Sequence, residues 1–353
     1  AYNNAGLVTY TESRNGENVY TYSDCEYLLN GLLTNVEMPG TEKAYMYDGI
    51  GRLTGETVTT GTTISVSDTY SYDLRGNRTS KTGIGTTTQY IYDLNNRLLS
   101  TTEETADTSR MTRYYYDKNG NTISKATTEV APSTGDAQYT MSDTANSYVT
   151  FYDYNRYNRL TSAETDGVVS RYTYNADNLR ATKTVGNVTT EYVWDGQNLA
   201  AETKQGTTEA YTYDMTGVHT KKQGDEVTSY LKDYHGNVIG TTDSTGRLDY
   251  DAYGNQLQGD APDPFGYCGE YYDSETGLIY LRNRYYDPVT SRMLSEDTHW
   301  NTNNMIYGDN ENHGIPNIYA IMQSSNLYVY CMNDPINYTD STGHRSKKMP
   351  IRL

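Results

Sequence analysis

Two tyrosines spaced by one residue, then an acid, then a turn built on Gly or Asn: this unit recurs through most of the chain and leaves it few folds to adopt. Its clearest copies are Tyr45-Met46-Tyr47-Asp48 with Gly51-Arg52-Leu53, Tyr70-Ser71-Tyr72-Asp73 with Gly76-Asn77-Arg78, and Tyr90-Ile91-Tyr92-Asp93 with Asn96-Arg97-Leu98. Further copies run at 114–121, 152–160, 172–180, 192–199 and 211–217. A period of about 20 to 25 residues is too short for a domain and suits one supersecondary unit, which can bury a face only against its neighbours. The spacing therefore predicts stacked β-hairpins in one continuous sheet.

Within a copy, Tyr70 and Tyr72 point to one face of a strand while Ser71 and Asp73 point to the other. The Asp closes the strand, because its carboxylate can accept from backbone amides of the following turn. Gly76, Asn96 and Asn158 tolerate the positive φ such turns need. The next strand is Thr-rich, as in Thr57-Val58-Thr59-Thr60 and Thr86-Thr87-Thr88, and a second turn at Gly61 or Gly85 leads to the next tyrosine pair. Stacking in register predicts aromatic ladders between repeats, each pair contributing about 0.2–1 kcal/mol. No apolar stripe of helical period persists, so the expectation is an all-β chain. Residues 123–149, rich in Thr, Ser and Ala around Ala131-Pro132-Ser133, break the period and are expected to form a long surface loop.

Tyrosine takes the place of the usual core residues: there are 39 Tyr against 2 Phe, and the hydrophobic fraction is 35%. A phenol offers an apolar face and a hydroxyl that can stay wet, which predicts a sheet with one face on solvent or on a water-filled interior. The net charge of −17 argues against nucleic-acid binding, since phosphates need clustered Lys and Arg. The end is different in character, with Arg345, Lys347, Lys348 and Arg352 and no acid. Cys25, Cys268 and Cys331 form neither a metal spacing nor an even disulfide framework and read as free thiols. No segment has the roughly 20 apolar residues of a membrane span, and no signal peptide is evident. The opening Tyr2-Asn3-Asn4-Ala5-Gly6-Leu7 reads as the second half of a repeat, as expected for a piece of a longer protein. The composition shifts near 259, which divides the chain into an array at 1–258, a module at 259–343 and a basic tail at 344–353.

The Tyr-x-Tyr-Asp-x-x-Gly-Arg-Leu unit resembles the YD repeat of the Rhs family. Phe265-Gly266-Tyr267, Glu275-Thr276-Gly277-Leu278, Arg284-Tyr285-Tyr286-Asp287-Pro288, Ser295-Glu296-Asp297 and Asn333-Asp334-Pro335-Ile336-Asn337-Tyr338 are similar to its repeat-associated core. The likeness covers essentially the whole chain. It implies hairpins wound as a spiral sheet into a hollow shell, with the core curling inward as a plug and 344–353 opening a variable region. Relatives include bacterial polymorphic toxins, the C components of insecticidal toxin complexes, and teneurins. In the bacterial members the shell encloses a toxic domain that follows the core.

The resemblance also implies chemistry. Several bacterial relatives cut themselves after the core with two aspartates, each in an Asp-Pro-x-Gly-Leu setting, and the matching positions here are Asp297 and Asp340. Two carboxylates sharing one proton make a reasonable acid and base, because like charges push their pKa values apart. Neither position keeps the pattern: Asp297 precedes Thr298-His299-Trp300, Asp340 precedes Ser341-Thr342-Gly343-His344, and an insertion around 308–323 lengthens the spacer. If the pair is active, the cut would fall near Gly343-His344. The competing reading has Asp340 closing a turn with Gly343 and Asp297 capping a strand. His299 and Trp300 could orient Asp297, whereas His235 sits in a hairpin turn.

The sequence thus reads as a structural shell segment of an exported toxin, secreted or attached to the cell surface or wall, with a possible accessory aspartyl autoprotease. Its expected partners are its own C-terminal toxin domain, a cognate immunity protein and delivery machinery. No metal and no cofactor is assigned. The alternative is an aromatic-repeat module binding cell-wall carbohydrate, although such arrays lean on tryptophan and only Trp194 and Trp300 occur.

Overall fold

A computed structural model of the chain describes residues 1–15, 18–130, 146–244, 246–260, 263–309 and 315–348. Twenty-one strands of the described residues pair antiparallel in chain order into one sheet, from Tyr10–Asn15 to Val238–Thr241, and the sheet does not close into a barrel. Each repeat supplies one Tyr strand, such as Thr41–Tyr47, and one Thr strand, such as Leu53–Thr60. The sheet curls far enough to bring its ends near each other. Tyr45 and Tyr234 hydroxyls lie 2.8 Å apart, Lys43 Nζ is 2.5 Å from Asp249 Oδ1, and Tyr72 and Tyr253 hydroxyls lie 2.8 Å apart.

The turns follow the sequence reading. Asp48 Oδ1 accepts from the amides of Ile50 and Arg52, and Asp73 and Asp93 repeat the arrangement on the amides two and four residues on. Gly51 and Gly76 stand at φ 89° and 78°, where a side chain is strained. The first tyrosine of each unit, Tyr45, Tyr70 and Tyr90, is buried, while Met46 and Ile91 between the pairs lie on the exposed face.

The second tyrosine departs from the wet hydroxyl expected of it. A β-bulge falls at Tyr47, Tyr72 and Tyr92 and turns each ring across the preceding turn. The hydroxyls then donate to the carbonyls of Leu33, Leu53 and Arg78, each the first residue of an earlier Thr strand, at 2.6, 2.6 and 2.8 Å. Later repeats need only a donor in this slot: Trp194 Nε1 reaches Arg180 O at 2.7 Å, and Lys232 Nζ reaches Val218 O at 2.7 Å.

The aromatic ladder between repeats is also replaced. A Thr strand separates successive Tyr strands, so equivalent rings sit roughly 9.6 Å apart, beyond ring contact. Instead the rings meet aromatics of the C-terminal module: Tyr70 with Tyr253, Tyr172 with Tyr285, Tyr192 with Tyr271, and Tyr211 with Phe265, at centroid distances of 5.0–5.6 Å. One further expectation is corrected. Within 123–149, residues up to Val130 and from Asn146 onward form strands, Thr122–Val130 and Asn146–Tyr154, which pair with each other; the β-branched residues that suggested a loop suit strands equally well. The remainder, 131–145, lies outside the described residues. The chain is all-β as expected; among the described residues one short α-helix, Ile318–Ser324, accompanies the strands, its N-terminal amides at Tyr319 and Ala320 capped by the Asn317 side chain.

Past the main sheet, a small hairpin pairs Asp249–Tyr250 with Gln256–Gln258, and a four-stranded meander covers Tyr271–Asp273, Leu278–Leu281, Arg284–Asp287 and Arg292–Met293. This module fills the curl and is a plug. It is fastened to the turns of successive repeats: Asn333 Nδ2 donates to Gly76 O at 2.7 Å, Tyr328 OH to Gly120 O at 2.8 Å, Arg159 Nη1 to Asn283 O at 3.0 Å, and Cys268 N to Asn237 Oδ1 at 2.8 Å. From the wall strand Arg180–Val185, Arg180, fully buried, pairs with the equally buried Asp273 of the plug at 2.5 Å and lies over the rings of Tyr192, Tyr271 and Tyr280 at 4.5–4.7 Å.

Candidate active site

Arg284 begins the third strand of the plug meander and organises everything around it. Its Nη1 donates to Leu327 O at 2.8 Å, its Nη2 lies 2.9 Å from Asp297 Oδ2 and 3.7 Å from Asp340 Oδ2, and its Nε donates to the carbonyl of Gly343. Two carboxylates 43 residues apart in sequence thus share one guanidinium nitrogen. Both are nearly inaccessible, at 5% and 3% exposure.

Asp297 is positioned by its own amide, which donates to Leu327 O at 3.1 Å, and its second oxygen faces His344 Nδ1 at 2.8 Å. Burial pushes its carboxyl up, but Arg284 and His344 together outweigh that and hold it below the ordinary carboxylate range. Arg284 thus stands between the two aspartates.

Asp340 Oδ1 accepts from the amides of Gly343, Thr342 and His344 at 2.9, 3.2 and 3.2 Å. Such a turn is what the competing reading of Asp340 described, and the same turn sets the His344 ring against Asp297 and the Gly343 carbonyl against Arg284. Thr342 O is held in turn by the Asn283 side chain at 3.0 Å. Gly343 adopts φ 72°, and a Cβ there would meet Leu281 O at 2.6 Å and Arg284 N at 2.8 Å, so only glycine lets the turn seat against the meander. A cavity of about 20 Å³ lies among Arg284, Asp297, Asp340 and His344, room for a single water.

Other sequence candidates take lesser places. His299 reaches Asp297 through its backbone amide, at 2.9 Å, and its ring faces Trp300 and, at 5.8 Å, His344. His235 is buried, with Nε2 2.7 Å from Pro335 O and Nδ1 3.5 Å from Cys268 Sγ, and joins the wall to the plug. All three cysteines are free, and burial pushes the Cys25 and Cys268 thiols up to about 12. The basic tail is described as far as Lys348; Arg352 lies outside the described residues. Sequence reasoning assigned no role to Arg284 or Asn283, although Arg284 stands inside the quoted core string. Its signal was an Arg followed by tyrosine, a pairing that recurs at Arg113-Tyr114 and Arg171-Tyr172, where the Arg is exposed on the sheet.

No family model matches the chain. It is 31% identical over 154 residues to the tRNA nuclease WapA of Bacillus subtilis (strain 168), a stretch covering 40% of this chain and 6% of that protein. It is 32% identical over 147 residues to the tRNA3(Ser)-specific nuclease WapA of Bacillus spizizenii, covering 39% of this chain and 6% of that one. The match thus takes in only 6% of the length of these curated relatives. Among solved structures, the TcdB2-TccC3 complex aligns over 97% of this chain and 21% of its own, with a TM-score of 0.46 and 17% identity.

Proposed function

We propose that this chain is a YD-repeat protein of the Rhs type and that it supplies the wall and plug of a shell that encloses and delivers a toxic domain following residue 343. The observation that carries this reading is the seating of the plug inside the curl, fastened to turns from Gly76 through Gly120 to Asn237. A structure tied to its wall at so many separate turns closes one end of a container. Secretion, or display on the surface of the producing cell, follows from that role. The tRNA cleavage in the relatives' names belongs to those much longer proteins; a net charge of −17 does not suit this stretch to holding tRNA. A sugar-stacking array would need outward rings, whereas Trp300 is 8% exposed and the first tyrosines face inward, which favours the wall.

The finer proposal is hydrolysis after Gly343. Asp297, held ionised by Arg284 and His344, takes a proton from a water in the cavity, and the resulting hydroxide adds to the Gly343 carbonyl carbon. Arg284 Nε polarises the carbonyl oxygen as charge develops on it. The bond to the His344 nitrogen then breaks, and that nitrogen, held by Asp340 Oδ1, leaves with the proton that Asp297 took from the water. Mass spectrometry of a chain extended past residue 353 tests this: a break between Gly343 and His344 is expected, and Asp340→Asn should leave the chain whole. An extended wild-type chain that stays intact would sink the cleavage reading, and a scattering envelope with no interior volume would sink the shell.

A further inference from the structure

The repeat at 152–160 breaks two rules that other repeats obey, and both breaks fall on residues that line one small cavity between wall and plug. We propose that this cavity is a chloride site, in which one small anion joins Tyr154 and Arg159 of the wall to residues 282–284 of the plug. The site works whether or not the chain is ever cut.

The first rule concerns the arginine at the end of the turn. Asp48 Oδ2 accepts from Arg52 Nε at 2.7 Å, and Asp93 Oδ2 accepts from Arg97 Nε at 2.6 Å, so the acid that caps each turn also holds the guanidinium. Asn155 stands in the place of those acids. Its Oδ1 still accepts from the amides of Tyr157 and Arg159, at 2.9 and 3.1 Å, and the turn keeps its shape. The second acceptor is gone, because the other atom of an amide is an NH2 group that donates. Arg159 gives its Nη1 to Asn283 O at 3.0 Å instead, and its Nε is buried with no partner among the described residues.

The second rule concerns the second tyrosine. Tyr116, Tyr174 and Tyr213 donate to the carbonyls of Leu98, Leu160 and Leu199 at 3.0, 2.6 and 3.1 Å, as the earlier copies do. Tyr154 holds the same slot, yet its hydroxyl is buried without a partner among the described residues.

The cavity measures about 10 Å³, and its lining includes Tyr154, Arg159, Tyr174, Arg282, Asn283 and Arg284 but no carboxylate. Such a space takes one particle the size of a water, which admits a monatomic ion and excludes phosphate and sulfate. Arg282 pairs with Glu270, and Arg284 with Asp297 and Asp340, whereas Arg159 lacks the ion pair that Arg52 and Arg97 have. A partly buried guanidinium left unpaired is costly. Chloride supplies the missing charge and accepts from both donors, doing for Arg159 what Asp48 and Asp93 do for their arginines. The chain's net charge of −17 does not prevent this, since charges beyond about 10 Å are largely screened at ~0.1 M salt.

The test compares the full chain with its Asn155→Asp and Arg159→Gln variants, in sodium chloride and in sodium gluconate of equal ionic strength. Gluconate is too large for the cavity. The wild type is expected to melt about 2–4 °C higher in chloride, once that ion is in large excess over its dissociation constant. It should also broaden the chloride NMR resonance in a saturable way. Asn155→Asp returns the acceptor within the chain, so it should melt alike in both salts and lose the broadening. Arg159→Gln should lose the broadening too; should it fail to fold, Asn155→Asp decides alone, because it only restores the pairing that Asp48 and Asp93 make. Equal wild-type melting in the two salts overturns the proposal. A salt difference of the same size in Asn155→Asp does so as well, since it would mark a general salt effect with only water in the cavity.

Discussion

His344 Nδ1 lies 2.8 Å from Asp297 Oδ1, while Arg284 holds the other oxygen of the same carboxylate at 2.9 Å. The residue just beyond the proposed scissile bond therefore helps to set the charge of the group that would act on that bond. A buried carboxylate with a partner on each oxygen is held in its ionised form, ready to accept a proton but unable to supply one.

Asp297→Asn should cost about 3–5 kcal/mol at neutral pH, because it leaves Arg284 with one close carboxylate fewer in a buried place. The native carboxyl is depressed below its ordinary 3.8, so its stabilisation is present above that pH and is lost as the pH falls through the lower folded value. Acid unfolding followed by circular dichroism should show a shallower limb below pH 3.8 in the variant. A limb of unchanged slope would contradict the ion pairing.

Glu56 has the opposite sign. Burial, reinforced by Asp251, pushes its carboxyl from 4.5 to about 8, so the folded state binds a proton that the unfolded state has released. Its stabilisation is complete below pH 4.5 and declines as the pH rises through about 8. Glu56→Gln keeps an acceptor for the Ala252 amide, now 2.9 Å from Oε2, and should melt higher than the wild type at pH 8 with a flatter dependence below it. Equal melting temperatures at pH 8 would refute the assignment.

Asp273→Asn should lower stability by about 3–5 kcal/mol, since it strands the buried Arg180 between wall and plug and takes one of two carboxylates from Lys183. Urea unfolding is the measure. A loss confined to about 1 kcal/mol would mean that the tyrosine rings around Arg180 carry most of its stabilisation.

Tyr72→Phe removes a donor while keeping the ring. It leaves the Leu53 carbonyl without its 2.6 Å partner and breaks the 2.8 Å contact with Tyr253, which should cost about 1–3 kcal/mol. Ile91→Thr, on the exposed face of the next Tyr strand, is the control and should stay within about 0.5 kcal/mol.

Much of this fold was legible because its rules are local. An Asp four residues before the end of a turn accepts amides within its own loop, and two tyrosines spaced by one residue share a face in any strand. The strand at Thr122–Val130 and the helix at Ile318–Ser324 were not legible, because a Thr-rich segment suits a loop or a strand equally and a seven-residue helix leaves little periodic signal. The candidate site was legible only in part. Asp297 and Asp340 could be named by resemblance, but nothing along the chain says that Arg284 stands between them or that His344 turns back onto Asp297.

The sequence by itself determined the repeating hairpin, the register of its turns and the tyrosine face, since each depends on residues within one period. Only the tertiary structure decided where the tyrosines make their contacts. Curling the sheet brings the plug against rings that are too far apart to meet one another, and a bulge in each repeat turns the second hydroxyl onto a backbone carbonyl. Long-range closure likewise placed one guanidinium against two distant carboxylates, because the cost of burying that charge is met by partners that no local spacing specifies.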